Sequence, residues 1–511
     1  MRAITDFPPN MTLMSKPDSN ARKLVKHSTI YAIGNISRQL IGFVMLPVYT
    51  RYLTPADYGV IGLLTFAMSL LEGMFGARLG QAMPKFFFEQ EDPRHRNAVI
   101  STALLVTGSV SLLVALLLTL TRDWSAQVLF GTEKYATVLG IFCFTILTNA
   151  LESQSLVYMQ IQSRPQLYVI INLAKLATQF FFNILFVVYL QWGIMGIALS
   201  GISSSGIFAL GLSVYTFAHT GIRWSTELAR RMIIFSWPLW LAGIASLYSS
   251  SAGRYYIRIF SSLTDVGFYE LGAKFAGILS LLIAQPFNRF WDIERFNHYK
   301  KANNAEIFRG VFQFYATLLT LAALGIALFA EPVVRIMAGP EFHAAWRAVP
   351  FITLSALVHC LTDYCNFSFL VTDKTSYISR NFFAAAVAVT IFYLILTPPF
   401  GFVGAAFAQL LAEIAQFFYM QRAARKLFDM QIHLRPLTAI VAIASLAYVA
   451  GGMLLRQQDL IADIGVKSLT YVVFAALVMA YVLRDLGSSP LLRSVVEPLL
   501  GKLPLLRSLL R

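Results

Sequence analysis

The stretch Leu46-Pro-Val-Tyr-Thr-Arg-Tyr-Leu-Thr-Pro-Ala-Asp-Tyr-Gly-Val-Ile-Gly-Leu-Leu64 decides the fold. An apolar run ends at Tyr49, Arg51 follows, and Thr54-Pro55-Ala56-Asp57 opens a second apolar run. Thr54 as N-cap, Pro55 at the first helical position and Asp57 three residues after Thr54 form a capping box. Hydroxyl and carboxylate each satisfy an N–H of the first turn that has no helical partner. The segment predicts a tight hairpin between two long helices. The same signal returns as Ser262-Leu263-Thr264-Asp265-Val266-Gly267, so Asp265 and Gly267 follow Asp57 and Gly59 by 208 residues. Gly131-Thr132-Glu133 and Gly339-Pro340-Glu341 share that offset, as do Gly193-Ile194-Met195-Gly196 and Gly401-Phe402-Val403-Gly404. Three landmarks at one spacing predict a duplicated chain; the competing explanation is that Gly and Asp recur at helix starts anyway.

Composition identifies the solvent. The chain is 57% hydrophobic and 13% charged, with a mean hydropathy of +0.63, where a soluble domain carries about 25% charge. Apolar runs of about 20 residues match the thickness of a bilayer core. They fall at about 28–50, 57–83, 97–121, 135–160, 166–190 and 193–218, then 231–253, 265–288, 307–330, 344–371, 376–397 and 401–422, with 437–455 and 466–484 beyond the repeat. The fold class expected is an all-α polytopic membrane protein of about 14 transmembrane helices, two six-helix lobes plus two C-terminal helices. The segments are 1–27 (basic tail), 28–220 (N-lobe), 221–430 (C-lobe), 431–486 (extra pair) and 487–511 (basic amphipathic tail). The first span is expected to act as an uncleaved anchor.

The 41 Lys and Arg gather in alternate connections and in both tails. The positive-inside rule then places both termini in the cytoplasm. That bias, facing anionic inner-leaflet lipid, accounts for the net charge of +15, so no nucleic-acid partner is needed. Six spans per half means the halves insert the same way round, as in transporters with a site between two lobes. Cys143, Cys360 and Cys365 sit inside apolar runs and build neither a disulfide framework nor a metal site. No GxxxxGK[ST] phosphate loop occurs. No cofactor, metal or catalytic residue is expected, and the chain reads as a non-enzyme.

Charges inside spans carry the functional argument, because an ionisable group at mid-membrane costs at least about 2.5–3.5 kcal/mol and must face a cavity or a partner. Asn35 and Arg38 share a face of the first span with Tyr31 and Gly42. Asn172, Lys175, Gln179 and Asn183 form a polar stripe spaced 3, 4, 4. Arg254 and Arg258 lie one turn apart, and Glu270 and Lys274 are i, i+4. Arg38, Lys175, Arg254, Arg258 and Lys274 are therefore candidates for holding an anionic ligand, with Asn35, Asn172 and Gln179 as polar cavity walls. Two plainer readings stand beside these: Glu270 and Lys274 satisfy each other, and Arg254 and Arg258 snorkel to headgroups. Glu72, Glu270, Asp363 and Glu413 are candidates for ion coupling, since desolvated carboxylates exchange protons near neutral pH; interhelical hydrogen bonding is the structural alternative.

Tyr31-Ala32-Ile33-Gly34-Asn35, Leu53-Thr54-Pro55-Ala56-Asp57-Tyr58-Gly59 and Gly193-Ile194-Met195-Gly196 resemble the Wzx-type repeat-unit flippases of polysaccharide biosynthesis. These belong to the multidrug/oligosaccharidyl-lipid/polysaccharide exporter superfamily, and the resemblance covers roughly residues 25–485. It implies two lobes around a cationic cavity that opens alternately to each face. The cargo it implies is an undecaprenyl-diphosphate-linked oligosaccharide, carried across the bacterial inner membrane for O-antigen, capsule or exopolysaccharide assembly. A polysaccharide polymerase and a chain-length regulator would be its partners, besides membrane lipid. The extra helix pair resembles that of lipid II flippases, where it offers a groove for the lipid tail. A cation-coupled drug exporter, a membrane glycan polymerase or ligase, and a scaffold are the rival readings.

Overall fold

The computed structural model describes residues 45–75, 79–301, 303–374 and 376–487, which are all-helical. In chain order the helices are α1 (Leu46–Tyr52), α2 (Pro55–Phe75), α3 (Leu79–Glu89), α4 (Pro93–Leu120), α5 (Arg122–Phe130), α6 (Ala136–Ile161), α7 (Pro165–Asn183), α8 (Gly193–Thr220) and α9 (Thr226–Ser251). Then follow α10 (Gly253–Phe260), α11 (Leu263–Leu279), α12 (Gln285–Tyr299), α13 (Asn304–Met337), α14 (Val349–Cys365), α15 (Ser376–Leu427), α16 (Leu434–Tyr448) and α17 (Leu460–Gly487).

Among the described residues, eleven helical segments are long and apolar enough to cross a membrane. Three places separate that number from the expected fourteen. The span at 28–50 lies almost wholly outside the described residues. The span expected at 231–253, to which α9 corresponds, is not among the eleven. The run 376–427 counts once, although it is two helices joined at Gly401 (φ 55°, ψ −136°). The Leu396 carbonyl there lies 2.1 Å from where a Cβ on Gly404 would stand. Eight residues of straight helix would separate the two by about 12 Å, so the chain folds back. Gly193 (φ 53°) makes the matching turn in the first repeat.

The opening hairpin has the predicted chemistry. The Asp57 amide donates to Thr54 Oγ1 at 3.2 Å, and the Thr54 amide returns to Asp57 Oδ2 at 3.3 Å. In the second repeat the Asp265 amide donates to Ser262 Oγ at 3.1 Å. Thr54→Ala removes one of these partners and is expected to cost about 1 kcal/mol. The check is the thermal unfolding midpoint of the detergent-solubilised protein, which should fall; an unchanged midpoint would deny the cap any energetic role.

The two caps lie side by side. A Cβ on Gly59 would stand 2.0 Å from the Leu263 carbonyl oxygen, and one on Gly267 would stand 2.0 Å from that of Pro55. At the offset of 208 these contacts are images of each other, so α2 and α11 cross backbone to backbone about a local two-fold. An apolar seal fills the surrounding end of the bundle: Leu46, Leu53 and Tyr58 from the first repeat pack on Leu271, Phe275, Val334 and Phe342 from the second. Tyr58 meets Phe342 edge to face at 5.8 Å.

The C-terminal pair α16–α17 attaches to α13 through apolar contacts (Leu324, Leu328, Ile440, Ala444, Phe474) and a buried ionic knot. Glu331 lies 2.6 Å from Arg335 and 3.3 Å from Lys467, and it also binds Arg456. Lys467 reaches Asp463 at 2.6 Å, both side chains being fully buried. Charges with so little access to water must be matched locally.

Candidate functional site

A cavity of about 390 Å³ lies between the repeats. Its walls come from the end of α1 (Tyr49), from α2 (Tyr58, Thr65, Ser69, Glu72), from α6 to α8 (Phe142, Asn149, Lys175, Gln179, Ser205) and from α11 (Glu270, Lys274). Five residues singled out in the sequence thus meet in one space: Glu72, Lys175, Gln179, Glu270 and Lys274. The α2–α11 crossing makes this possible. The absence of a side chain on Gly62, one turn beyond Gly59, leaves room for Glu270, whose Oε2 lies 3.1 Å from where a Cβ would stand.

The ammonium of Lys175 sits 2.5 Å from Glu152, and its carbonyl accepts a hydrogen bond from Ser204 at 3.2 Å. Glu270 bridges two cations: Arg254 Nε at 2.6 Å and Lys274 Nζ at 3.4 Å. Glu72 accepts from Asn149 Nδ2 at 3.0 Å. The expectation of a cationic cavity needs correction on this point. Lys175, Arg254 and Lys274 each have a carboxylate partner, since an unpaired charge away from water is the costlier arrangement. The Lys274 side chain remains 40% exposed, and its ammonium keeps donors free for a ligand.

Other candidates lie elsewhere. Arg258 does not line the cavity. Its guanidinium donates to the Gln127 and Val128 carbonyls at 2.7 Å each, capping the C-terminus of α5 across the repeats. A cation there offsets the unpaired carbonyls of a helix end. Arg254 stands behind the wall as the partner of Glu270. Asn172 is buried and donates to the Tyr168 carbonyl at 2.7 Å. Asp363 and Glu413 gather at a second place, around His359 of α14, at 3.8 and 3.2 Å. Asn35 and Arg38 lie outside the described residues. Sequence reasoning missed Glu152 as the mate of Lys175, because helical periodicity aligns residues on one helix and says nothing of a partner on the helix before.

The charges do not obey the duplication. At the offset of 208, Glu270 and Lys274 correspond to Gly62 and Phe66, Lys175 to Phe383, and Glu152 to Cys360. The scaffold is repeated and the cavity chemistry is not. Among the described residues no three His, Cys, Asp or Glu side chains are placed to hold a metal.

The fold resembles that of a lipid II flippase, MurJ, in an inward closed conformation (TM-score 0.73, 10% identity, 89% of this chain and 100% of that one). It also resembles a multidrug-resistance transporter of the MATE family in an inward-facing conformation (TM-score 0.59, 12% identity, 76% and 95% covered). At such identity these likenesses speak for the fold alone. A protein of the Lsg locus of Haemophilus influenzae is 24% identical over 275 residues, 52% of this chain and 64% of that relative's length. The pattern shared by polysaccharide biosynthesis proteins matches residues 48–347. The chain belongs to this polysaccharide biosynthesis family, and its fold is like those of the lipid II flippase and the multidrug-resistance transporter.

Proposed function

We propose that the chain moves an undecaprenyl-diphosphate-linked oligosaccharide repeat unit from the cytoplasmic to the periplasmic leaflet of the bacterial inner membrane, by alternating access. The observation that carries this reading is that Lys175 of one repeat and Lys274 of the other line a single cavity. Two ammonium groups on opposite walls suit a diphosphate, and they come closer or part as the repeats rock. The arriving anion would compete with Glu152 and Glu270 for the lysines, so binding loosens ion pairs that hold the empty state. With the termini inside, the sealed hairpin end faces the periplasm, and the cargo enters from the opposite face. A second, apolar cavity of about 370 Å³ between Leu324, Leu354, Phe407, Val441 and Val449 offers a bed for the polyprenyl tail. The polymerase and the chain-length regulator would receive the unit outside.

Lys274→Ala tests the reading with little structural cost, because Glu270 keeps Arg254 as its partner. Loss of a hydrogen bond to a charged group, about 1.5–3 kcal/mol, predicts at least a tenfold fall in surface polysaccharide at unchanged protein level. Lys175→Ala should also lower export, and because it leaves Glu152 without its cation it is paired with Lys175→Ala/Glu152→Gln to hold the protein level. Full export in both variants would defeat the proposal.

Glu72, held by Asn149, and the rings of Tyr49, Tyr58 and Phe142 favour a cationic drug as the second reading. It predicts drug sensitivity with surface glycan intact on deletion.

A further inference from the structure

We propose that His359, with Glu413 and Asp363, forms a proton-binding site in the second repeat that is connected to the cavity ion pair through Gln409 and Tyr269. This rests on the reading of the chain as an alternating-access transporter and names its coupling site.

His359 lies midway along a membrane-length segment, 340–370. Its side chain and that of Asp363 are nevertheless 44% and 45% exposed. Polar groups at that depth face the bundle interior or a water-filled cavity rather than lipid. The imidazole holds Glu413 at 3.2 Å through Nδ1 and Asp363 at 3.8 Å through Nε2, so each ring nitrogen addresses a carboxylate. Neighbouring charged and titratable groups are Cys360 on the same helix, Asp292 and Arg295 on α12, Tyr315 on α13 and Tyr393 on α15. Asn366 donates to Asp363 at 3.2 Å.

A polar path leads from this site to the cavity. One turn before Glu413, Gln409 accepts a hydrogen bond from the Tyr269 hydroxyl. The Tyr269 ring lies 5.8 Å from the Arg254 guanidinium, and Arg254 holds Glu270. Tyr269 and Glu270 are consecutive residues of α11, so a displacement of Gln409 bears directly on the backbone that positions Glu270 and Lys274. The two repeats also divide the labour. The first carries a fixed pair, Lys175–Glu152, whereas the second carries an imidazole, the side chain whose ordinary titration falls near neutral pH. At the offset of 208, His359, Asp363 and Glu413 correspond to Leu151, Ser155 and Ser205, so the site is not a relic of duplication. Linkage makes the coupling reciprocal: a proton that changes the hold on an anionic lipid is itself held differently when the lipid is bound.

The full chain, in lipid nanodiscs and labelled with 15N-histidine, tests the site directly. The chain has seven histidines, and His359→Gln identifies the signal. It is expected to titrate reversibly, and Glu413→Gln is expected to change its proton affinity about tenfold or more, one pH unit. Undecaprenyl diphosphate binding, followed by tryptophan fluorescence at pH 6 and pH 8, supplies the second readout. Its own ionisation is common to all variants and cancels on comparison. The wild-type protein should gain or lose about tenfold in affinity relative to His359→Gln across this interval, and Tyr269→Phe should reduce that difference to less than twofold. A His359 signal that does not titrate, or a pH response kept by His359→Gln, overturns the site. Should the lipid fail to bind at either pH while His359 titrates and answers to Glu413→Gln, the proton site stands and the proposed cargo falls.

Discussion

Replacing Gly59 by leucine is expected to abolish accumulation of the folded protein in the membrane. The ideal Cβ would stand 2.0 Å from the Leu263 carbonyl oxygen and 2.9 Å from the Gly267 amide nitrogen. Both are backbone atoms inside helices, so no side-chain rotation relieves the clash, and α2 and α11 must separate. Separation opens the apolar seal of Leu46, Leu53, Tyr58, Leu271 and Phe342 and tilts Glu270 and Lys274 away from Lys175. Overpacking by a few methylenes costs about 1–3 kcal/mol where neighbours can shift; here they cannot shift freely, and the cost should exceed that range. Alanine is the graded version. Gly59→Ala and Gly267→Ala should each lower the unfolding midpoint, and the double variant should lower it by less than the sum, since helices already prised apart accept the second methyl more easily. Additive effects would mean that the two glycines do not share one contact. Normal accumulation of Gly59→Leu would deny the crossing altogether.

Glu331→Ala is expected to be the most destabilising change of a charged residue, at about 3–5 kcal/mol. The carboxylate serves Arg335, Arg456 and Lys467 together. Without it Arg335 and Arg456 lose their carboxylate partner, and the buried Lys467 keeps only Asp463. Limited proteolysis should then release the segment that begins near residue 431, because the knot ties α16–α17 to α13. Removing charge from both sides, as in Glu331→Gln with Lys467→Met and Asp463→Asn, should recover part of the loss. An unchanged unfolding midpoint for Glu331→Ala would show that the apolar contacts of Leu324, Leu328 and Phe474 suffice to hold the pair.

The sequence could show where helices start, how long they run and that the chain is duplicated, because these depend on local chemistry. The Thr54–Asp57 box, the turns at Gly193 and Gly401 and the apolar runs all act within a few residues of themselves. The eleven membrane-length segments among the described residues fall where apolar runs were expected. Lys175, Gln179, Glu270 and Lys274 stood out for a similar reason: a polar group in an apolar helix needs company, whatever the fold.

Which company each group keeps was decided by tertiary structure. Arg258 and Arg254 sit one turn apart on one short helix. Packing sends the first to the end of α5 and the second to Glu270, because four residues carry the chain about 6 Å along the helix axis and past a different neighbour, although the two share a face. Lys175 finds Glu152, and His359 finds Glu413 across 54 residues of chain. Both pairs form between packed helices of one repeat, whereas the crossing of Gly59 and Gly267 brings Lys175 of one repeat and Lys274 of the other to one cavity. Electrostatic partnership depends on distance in space, which a linear pattern does not contain; helix formation depends on distance along the chain, which it does.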